Sequence, residues 1–111
     1  MADGSAAERQ AEHFLTRQGL TLISRNYRCR MGEIDLIMRE RDTLVFIEVR
    51  QRRHAAFGGA LASIDQRKQH KLMICAEVYL SRLSRLPACR FDVVLLQGDR
   101  ATPHWIKNAF P

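Results

Sequence analysis

Apolar residues along this chain follow two rhythms, one helical and one extended, and their order predicts an α/β domain. From about Ala6 to Gln18, Ala11, Phe14 and Leu15 form a stripe at helical spacing, and Gly19 closes the segment. Glu8 stands on the rim of that stripe, whereas Glu12 is turned further away. Leu20 to Arg28, Glu33 to Arg39 and Thr43 to Arg52 read as strands, the last two as a hairpin around Arg41-Asp42. His54 to Gly59 reads as a loop containing the Gly58-Gly59 pair. A long helix follows, in which Leu61, Ile64, Leu72, Cys75, Tyr79 and Leu83 recur at three- and four-residue spacing. Ser63 and Gln66 fit a capping box at its start, and it is expected to end near Arg85 to Leu86, before Pro87. Arg90 to Gln97 is a strand with a nearly continuous apolar run, expected in the sheet interior. After a turn at Gly98-Asp99, Pro103 to Lys107 is expected to add a short edge strand. The order αβββαβ(β) predicts a mixed β-sheet flanked by helices.

A chain of 111 residues accommodates one domain, 1–111, with residues 1–5 expected as a flexible lead-in. Its opening has neither a basic n-region nor an apolar h-region, which argues against secretion. No apolar run approaches the roughly 20 residues that span a bilayer, so no membrane partner is expected. Cys29, Cys75 and Cys89 are odd in number, widely spaced and without a C-x-x-C pair, and read as inert thiols of a reducing compartment, the cytoplasm.

Charge sharpens the picture through its position. The chain carries a formal net charge of +6. Between Arg50 and Lys71 lie Arg50, Arg52, Arg53, Arg67, Lys68 and Lys71 against one acid, Asp65, so six cations and one anion leave +5 in this segment. Such clustering is the footprint of phosphate contacts and points to a nucleic-acid partner, DNA ahead of RNA; a solvated basic face is the other reading.

The hairpin carries the strongest chemistry. A symmetric turn between Arg41 and Asp42 sets Asp35 opposite Glu48, and Glu33 opposite Arg50. Opposed like charges destabilise a sheet, and burial makes them costlier. Glu48 also follows Leu44 and Phe46 on one strand face, where an apolar residue would be comfortable. Two acids so placed call for a cation, and hard oxygen ligands suit Mg²⁺ or Mn²⁺. The competing reading pairs either acid with one of the fifteen arginines.

At these residues the chain resembles a known family. GEIDLI (Gly32 to Ile37) and FIEV (Phe46 to Val49) are similar to motifs of the YraN family of small bacterial proteins, within the PD-(D/E)xK nuclease-like superfamily. Glu8-x-x-Ala11-x-x-Phe14-Leu15, Arg25-Asn26-Tyr27-Arg28, Phe57-Gly58-Gly59, Lys68, Arg90-Phe91-Asp92 and Ala109-Phe110 extend the likeness over nearly the whole chain from Glu8. The resemblance implies a restriction-endonuclease-like core in which Asp35 and Glu48 bind a divalent ion, with Glu8 approaching as a third acid. The implied chemistry is phosphodiester hydrolysis, an endonuclease-type reaction. Glu33 fits the motif, but pairing with Arg50 is the stronger expectation for it.

Arg50 departs from the superfamily pattern, which carries lysine there. Guanidinium stays charged at any working pH, so Arg50 can neutralise an attacked phosphate but cannot be tuned as an amine can. Lys68, on the apolar stripe between Ile64 and Leu72, could compensate by reaching the site from the helix; the alternative is a snorkelling side chain. His54 and His70 show no ligand spacing, and Trp105 reads as packing. Two functions stand open: a Mg²⁺-dependent nuclease using Asp35, Glu48, Arg50, Glu8 and Lys68, or a non-catalytic nucleic-acid-binding module in which Arg50 marks weakened or lost catalysis.

Overall fold

The computed structural model describes residues 3–52, 64–97 and 102–110. Two helices flank one five-stranded mixed sheet. The elements are α1 (Asp3–Arg17), β1 (Thr21–Cys29), β2 (Gly32–Glu40), β3 (Thr43–Arg52), α2 (Gln66–Leu80), β4 (Ala88–Gln97) and β5 (His104–Ile106). Strands lie in the order β1-β2-β3-β4-β5. All neighbours are antiparallel except β3 and β4, which run parallel and are paired from Thr43↔Ala88 to Arg52↔Gln97. A parallel pair needs a crossover, and α2 lies within the connection between these two strands.

Strand alternation divides the core into two layers. Leu44 and Phe46 of β3 and Val93 and Leu95 of β4 face Leu72, Cys75 and Ala76 of α2. Their alternates Val45, Ile47, Val94 and Leu96 face Ala7, Ala11 and Leu15 of α1. Period two in the strands and the stripe in α1 are therefore one pattern seen from its two sides. In β2 the alternation breaks. Ile34 and Ile37 join the α2 layer, whereas Leu36 and Met38 join the α1 layer. An odd spacing on one face requires the strand to rotate about its axis between them, and Asp35 is where it does so.

Several expectations change. Helix α1 begins at Asp3, inside the lead-in expected over residues 1–5. Helix α2 is shorter than its apolar periodicity suggests: it stops at Leu80, Ser81 caps it, and Leu83 and Leu86 are exposed. Asp65 is its N-cap, accepting the Lys68 N–H at 2.9 Å. Ser63, proposed for that role, lies outside the described residues, as do Arg53, His54, the Phe57-Gly58-Gly59 motif, Leu61 and the Gly98-Asp99 turn. The three cysteines are not three free thiols. Cys29 at the end of β1 is disulfide-bonded to Cys75 in α2, their Cα atoms 5.6 Å apart, and Cys89 is the exposed free cysteine. Sequence spacing concealed this because the pair is 46 residues apart and joins only when α2 packs across the sheet.

Asp92 is a polar group in the centre of an apolar strand and is fully buried. Its carboxylate accepts from Arg90 Nε and Nη2, from Trp105 Nε1 at 2.8 Å and from the Asn108 backbone N–H at 2.9 Å. Arg90 also pairs with Glu40 at 2.8 Å. Four donors compensate one buried charge, and two of them, from Trp105 and Asn108, tie β5 and the segment after it to β4. Trp105, as expected, is a packing residue, set edge-on to Phe14.

Candidate functional site

The β2–β3 hairpin has the register that its turn implies, from Glu40↔Thr43 to Leu36↔Ile47, and Arg41 takes the left-handed conformation (φ 54°) that a tight two-residue turn demands. Backbone pairing stops one step short of Asp35 and Glu48. There the Asp35 side chain substitutes for the strand, its Oδ2 accepting the Val49 N–H at 2.8 Å. The rotation in β2 thus turns Asp35 toward β3, and the two acids meet through their side chains.

Glu48 is 6% exposed. Arg50 Nη2 lies 3.1 Å from Glu48 Oε2, and Lys68 Nζ lies 3.7 Å from the same oxygen. The other oxygen, Oε1, is buried without a hydrogen-bond partner, as is Arg50 Nε. An unpartnered buried carboxylate oxygen is expensive and calls for a donor or a cation. Asp35 is pushed up to about 8, first by burial and then by the Glu48 charge, against the opposing Val49 N–H. Glu48 is also raised by burial, offset by Lys68, by Arg50 and by a hydrogen bond from Asp35. Burial and mutual repulsion thus disfavour ionising both acids together, and a divalent ion between them would offset both causes.

A cleft of about 270 Å³ opens here, lined by Ala7, Glu8, Asp35, Glu48, Val49, Arg50 and Gln51. Glu8, from the first helix, borders the same space as the two acids, but its Oε1 accepts from Asn26 Nδ2 at 2.8 Å. Among the described residues no group of three His, Cys, Asp or Glu side chains is placed to hold a metal ion, so Glu8 is not assembled with the pair as a third ligand. Two carboxylates nonetheless fit Mg²⁺ or Mn²⁺, because such ions keep several waters and take the remaining oxygens from a phosphate. The expected Glu33–Arg50 pair does not form: Arg50 turns to Glu48, and Glu33 is paired in the ladder with Arg28 of β1.

Lys68 reaches the site, and the N-cap explains how. Asp65 fixes the first turn of α2, which aims Lys68 inward at Glu48 while Arg67 and Lys71 stay exposed beside it. Arg52 ends β3 close by in sequence. His70 is exposed, in keeping with a solvated residue. Two residues support the site in roles that the motif around Asn26 and the lone acid Asp65 do not by themselves declare. Asn26 adopts a left-handed conformation (φ 51°) and holds Glu8, and Asp65 orients Lys68. An Asn between Arg25 and Tyr27 and an Asp just before the helix were visible signals, since both types favour such positions.

The model of the uncharacterised protein family UPF0102 matches residues 7–96, the span that holds the carboxylate pair, Arg50 and Lys68. The chain belongs to the UPF0102 family. It is 53% identical to a UPF0102 protein of Psychromonas ingrahamii over 96% of this chain and 88% of the relative. Identity to a UPF0102 protein of Nitrosomonas eutropha is 55%, over 96% of this chain and 91% of that one. The corresponding figures for Ectopseudomonas mendocina are 54%, 96% and 92%. This UPF0102 chain thus matches its relatives over nearly their full lengths, in agreement with the likeness carried by GEIDLI and FIEV. No helix among the described residues is long and apolar enough to cross a membrane.

Proposed function

We propose that this protein binds nucleic acid and hydrolyses its phosphodiester bonds with a divalent ion held by Asp35 and Glu48. The observation that carries this reading is the buried carboxylate pair with Glu48 Oε1 unpartnered, faced by two cations on the opposite oxygen. When bound, Mg²⁺ or Mn²⁺ would supply a polarised phosphate oxygen and a more acidic water. The chain's own residues do the rest. Asp35 and Glu48 fix the reaction position at the mouth of the cleft, where β2 and β3 part. Arg50 and Lys68 stand where charge accumulates on the attacked phosphate and offset it. Arg67 and Lys71, on the exposed side of the same helical turn, hold flanking phosphates. A cleavage screen with Mg²⁺ and Mn²⁺ against single-stranded, duplex, flap and junction DNA, and RNA counterparts, tests the reading. Product formation lost on adding EDTA supports it; inert protein on every substrate overturns it.

Binding itself is expected to weaken steeply with salt, because phosphate contacts release counterions. Removing two such contacts with Arg67→Glu/Lys71→Glu should flatten the slope of log affinity against log salt by about 2. Affinity indifferent to salt would refute the electrostatic account.

One observation favours a non-catalytic binding module on the same fold: Arg50 already occupies Glu48 Oε2 with a permanent charge. Substitution separates the readings. In a working nuclease Arg50→Ala should lower the cleavage rate, with the larger loss in kcat, since a group serving the transition state acts mainly on rate. Protein that binds nucleic acid yet is inert both as wild type and as Arg50→Lys belongs to the binding-module reading.

A further inference from the structure

The disulfide lies outside the carboxylate cleft, yet it is built into the elements that shape it. The covalent ring closed by Cys29 and Cys75 contains Asp35, Glu48, Arg50 and Lys68. Cys75 lies on the same face of α2 as Lys68, about two helical turns further on. Leu72 and Ala76 are buried beside Cys75, so the bond pins the inward face of the helix whose first turn delivers Lys68 to Glu48. Its other end is the last residue of β1, an edge strand.

The two sulfurs are unequal. Cys75 is 1% exposed, whereas Cys29 is only half-buried and its Sγ accepts the Met31 N–H at 3.3 Å. An attacking thiolate therefore meets Cys29 first, and the Met31 N–H favours the later departure of Cys29 as a thiolate from the mixed disulfide. Tyr27 and Tyr79, edge-to-face at 5.2 Å with Arg82 over both rings, keep β1 and the end of α2 in contact independently of the bond. Its opening is thus a local event, centred on α2, within a sheet that persists.

We propose that Cys29–Cys75 is a reversible thiol–disulfide switch: oxidised, it seats α2 with Lys68 against the carboxylate pair, and reduced, it lets the helix move away from Glu48. The reductant is a low-molecular-weight thiol. Its thiolate bonds to Cys29 Sγ as the S–S bond breaks, and Cys75 leaves as a thiolate that takes up a proton. A second thiol then attacks the reductant sulfur of the mixed disulfide, releasing Cys29, while the two reductant molecules become a disulfide. The consequence for metal binding rests on the function proposed above; the switch and the movement of α2 do not.

The test uses the full chain carrying Cys89→Ser, equilibrated in glutathione buffers of graded reduced-to-oxidised ratio, with thiols trapped by maleimide and counted by mass. One transition from zero to two free thiols is expected, with the circular dichroism of a folded sheet at both ends. On reduction, amide protection in the first turns of α2 should be lost while β3 and β4 keep theirs. With the Lys68 charge withdrawn from Glu48, Mn²⁺ affinity should rise by about five-fold or more, the lower end of ordinary coupling between sites. Cys29→Ser should reproduce the reduced state, and Cys75→Ala provides a second variant should Cys29→Ser fail to fold. Two free thiols under all oxidising ratios, reduction only in denaturant, or unchanged α2 protection in the folded reduced protein would each overturn the switch. If oxidised and reduced protein alike bind no Mn²⁺ while α2 still loosens, the switch stands and the metal reading falls.

Discussion

Asp35→Asn should abolish divalent-ion binding and phosphodiester cleavage and, in the same variant, raise the melting temperature measured in EDTA. Loss of a ligand from a pair leaves Glu48 alone beside two cations that already neutralise it, so cleavage should drop by about 10²-fold or more. Stability moves the other way because Asp35 is a burden without an ion. Its carboxyl is pushed up to about 8 by burial and by Glu48, so below that pH the folded chain holds a proton that the unfolded chain releases near pH 4. That contribution is fully present below the unfolded value and is lost as pH rises through about 8. The metal-free wild type should therefore melt at progressively lower temperature across this window, and Asp35→Asn should flatten the dependence. Mn²⁺ competes with the same proton, so its affinity should climb over the same range. Calorimetric unfolding from pH 4.5 to 8.5 in EDTA, with Mn²⁺ titrations alongside, checks both halves. Undiminished Mn²⁺ binding by Asp35→Asn, or a wild-type melting temperature indifferent to pH, would sink the account. Glu8→Ala, at a residue already held by Asn26, should cost far less ion affinity than Asp35→Asn.

The largest stability loss from a single substitution is expected at Asp92, which no functional argument requires. Asp92→Ala removes the acceptor for Arg90, Trp105 Nε1 and the Asn108 N–H at once, inside a fully buried environment. Breaking a buried, hydrogen-bonded charge typically costs ~3–5 kcal/mol. For a domain of this size that corresponds to a fall in melting temperature of more than ~10 °C. Glu40 still pairs with Arg90, which prevents the cost from rising further. Because Trp105 is the chain's single tryptophan, its fluorescence should report release of β5 directly. A loss under about 1 kcal/mol, the scale of an exposed ion pair, would show that the network is solvated in practice.

Much of this architecture could be read from local rhythm. Apolar stripes at helical spacing and alternation along the strands specified the element order, and β3 was read with the bounds that it has. The hairpin register followed from a two-residue turn, because antiparallel pairing leaves no freedom once the turn is set. The acids announced themselves by standing where the pattern wanted apolar residues. Periodicity misled at the end of α2, where Leu83 keeps the helical spacing but lies beyond the Ser81 cap and is exposed.

What the tertiary structure alone decided concerns partners distant in sequence. Alternation could set Asp35 across from Glu48, but only the rotation of β2 and the Val49 N–H explain how two carboxyls come to share one buried position. A charge on an apolar stripe is compatible with either snorkelling or a site; the packing of α2 chose by directing Lys68 to Glu48. Arg50 went to the neighbouring acid on its own strand rather than to Glu33, because pairing between β2 and β3 has ended there. Cys29 and Cys75 carry no local signal of each other, since a disulfide depends on Cα separation in space and not on spacing along the chain. Local sequence thus determined the strands, the helices and the anomalous acids, while the crossing of α2 over the sheet decided which cations, and which sulfur, those elements meet.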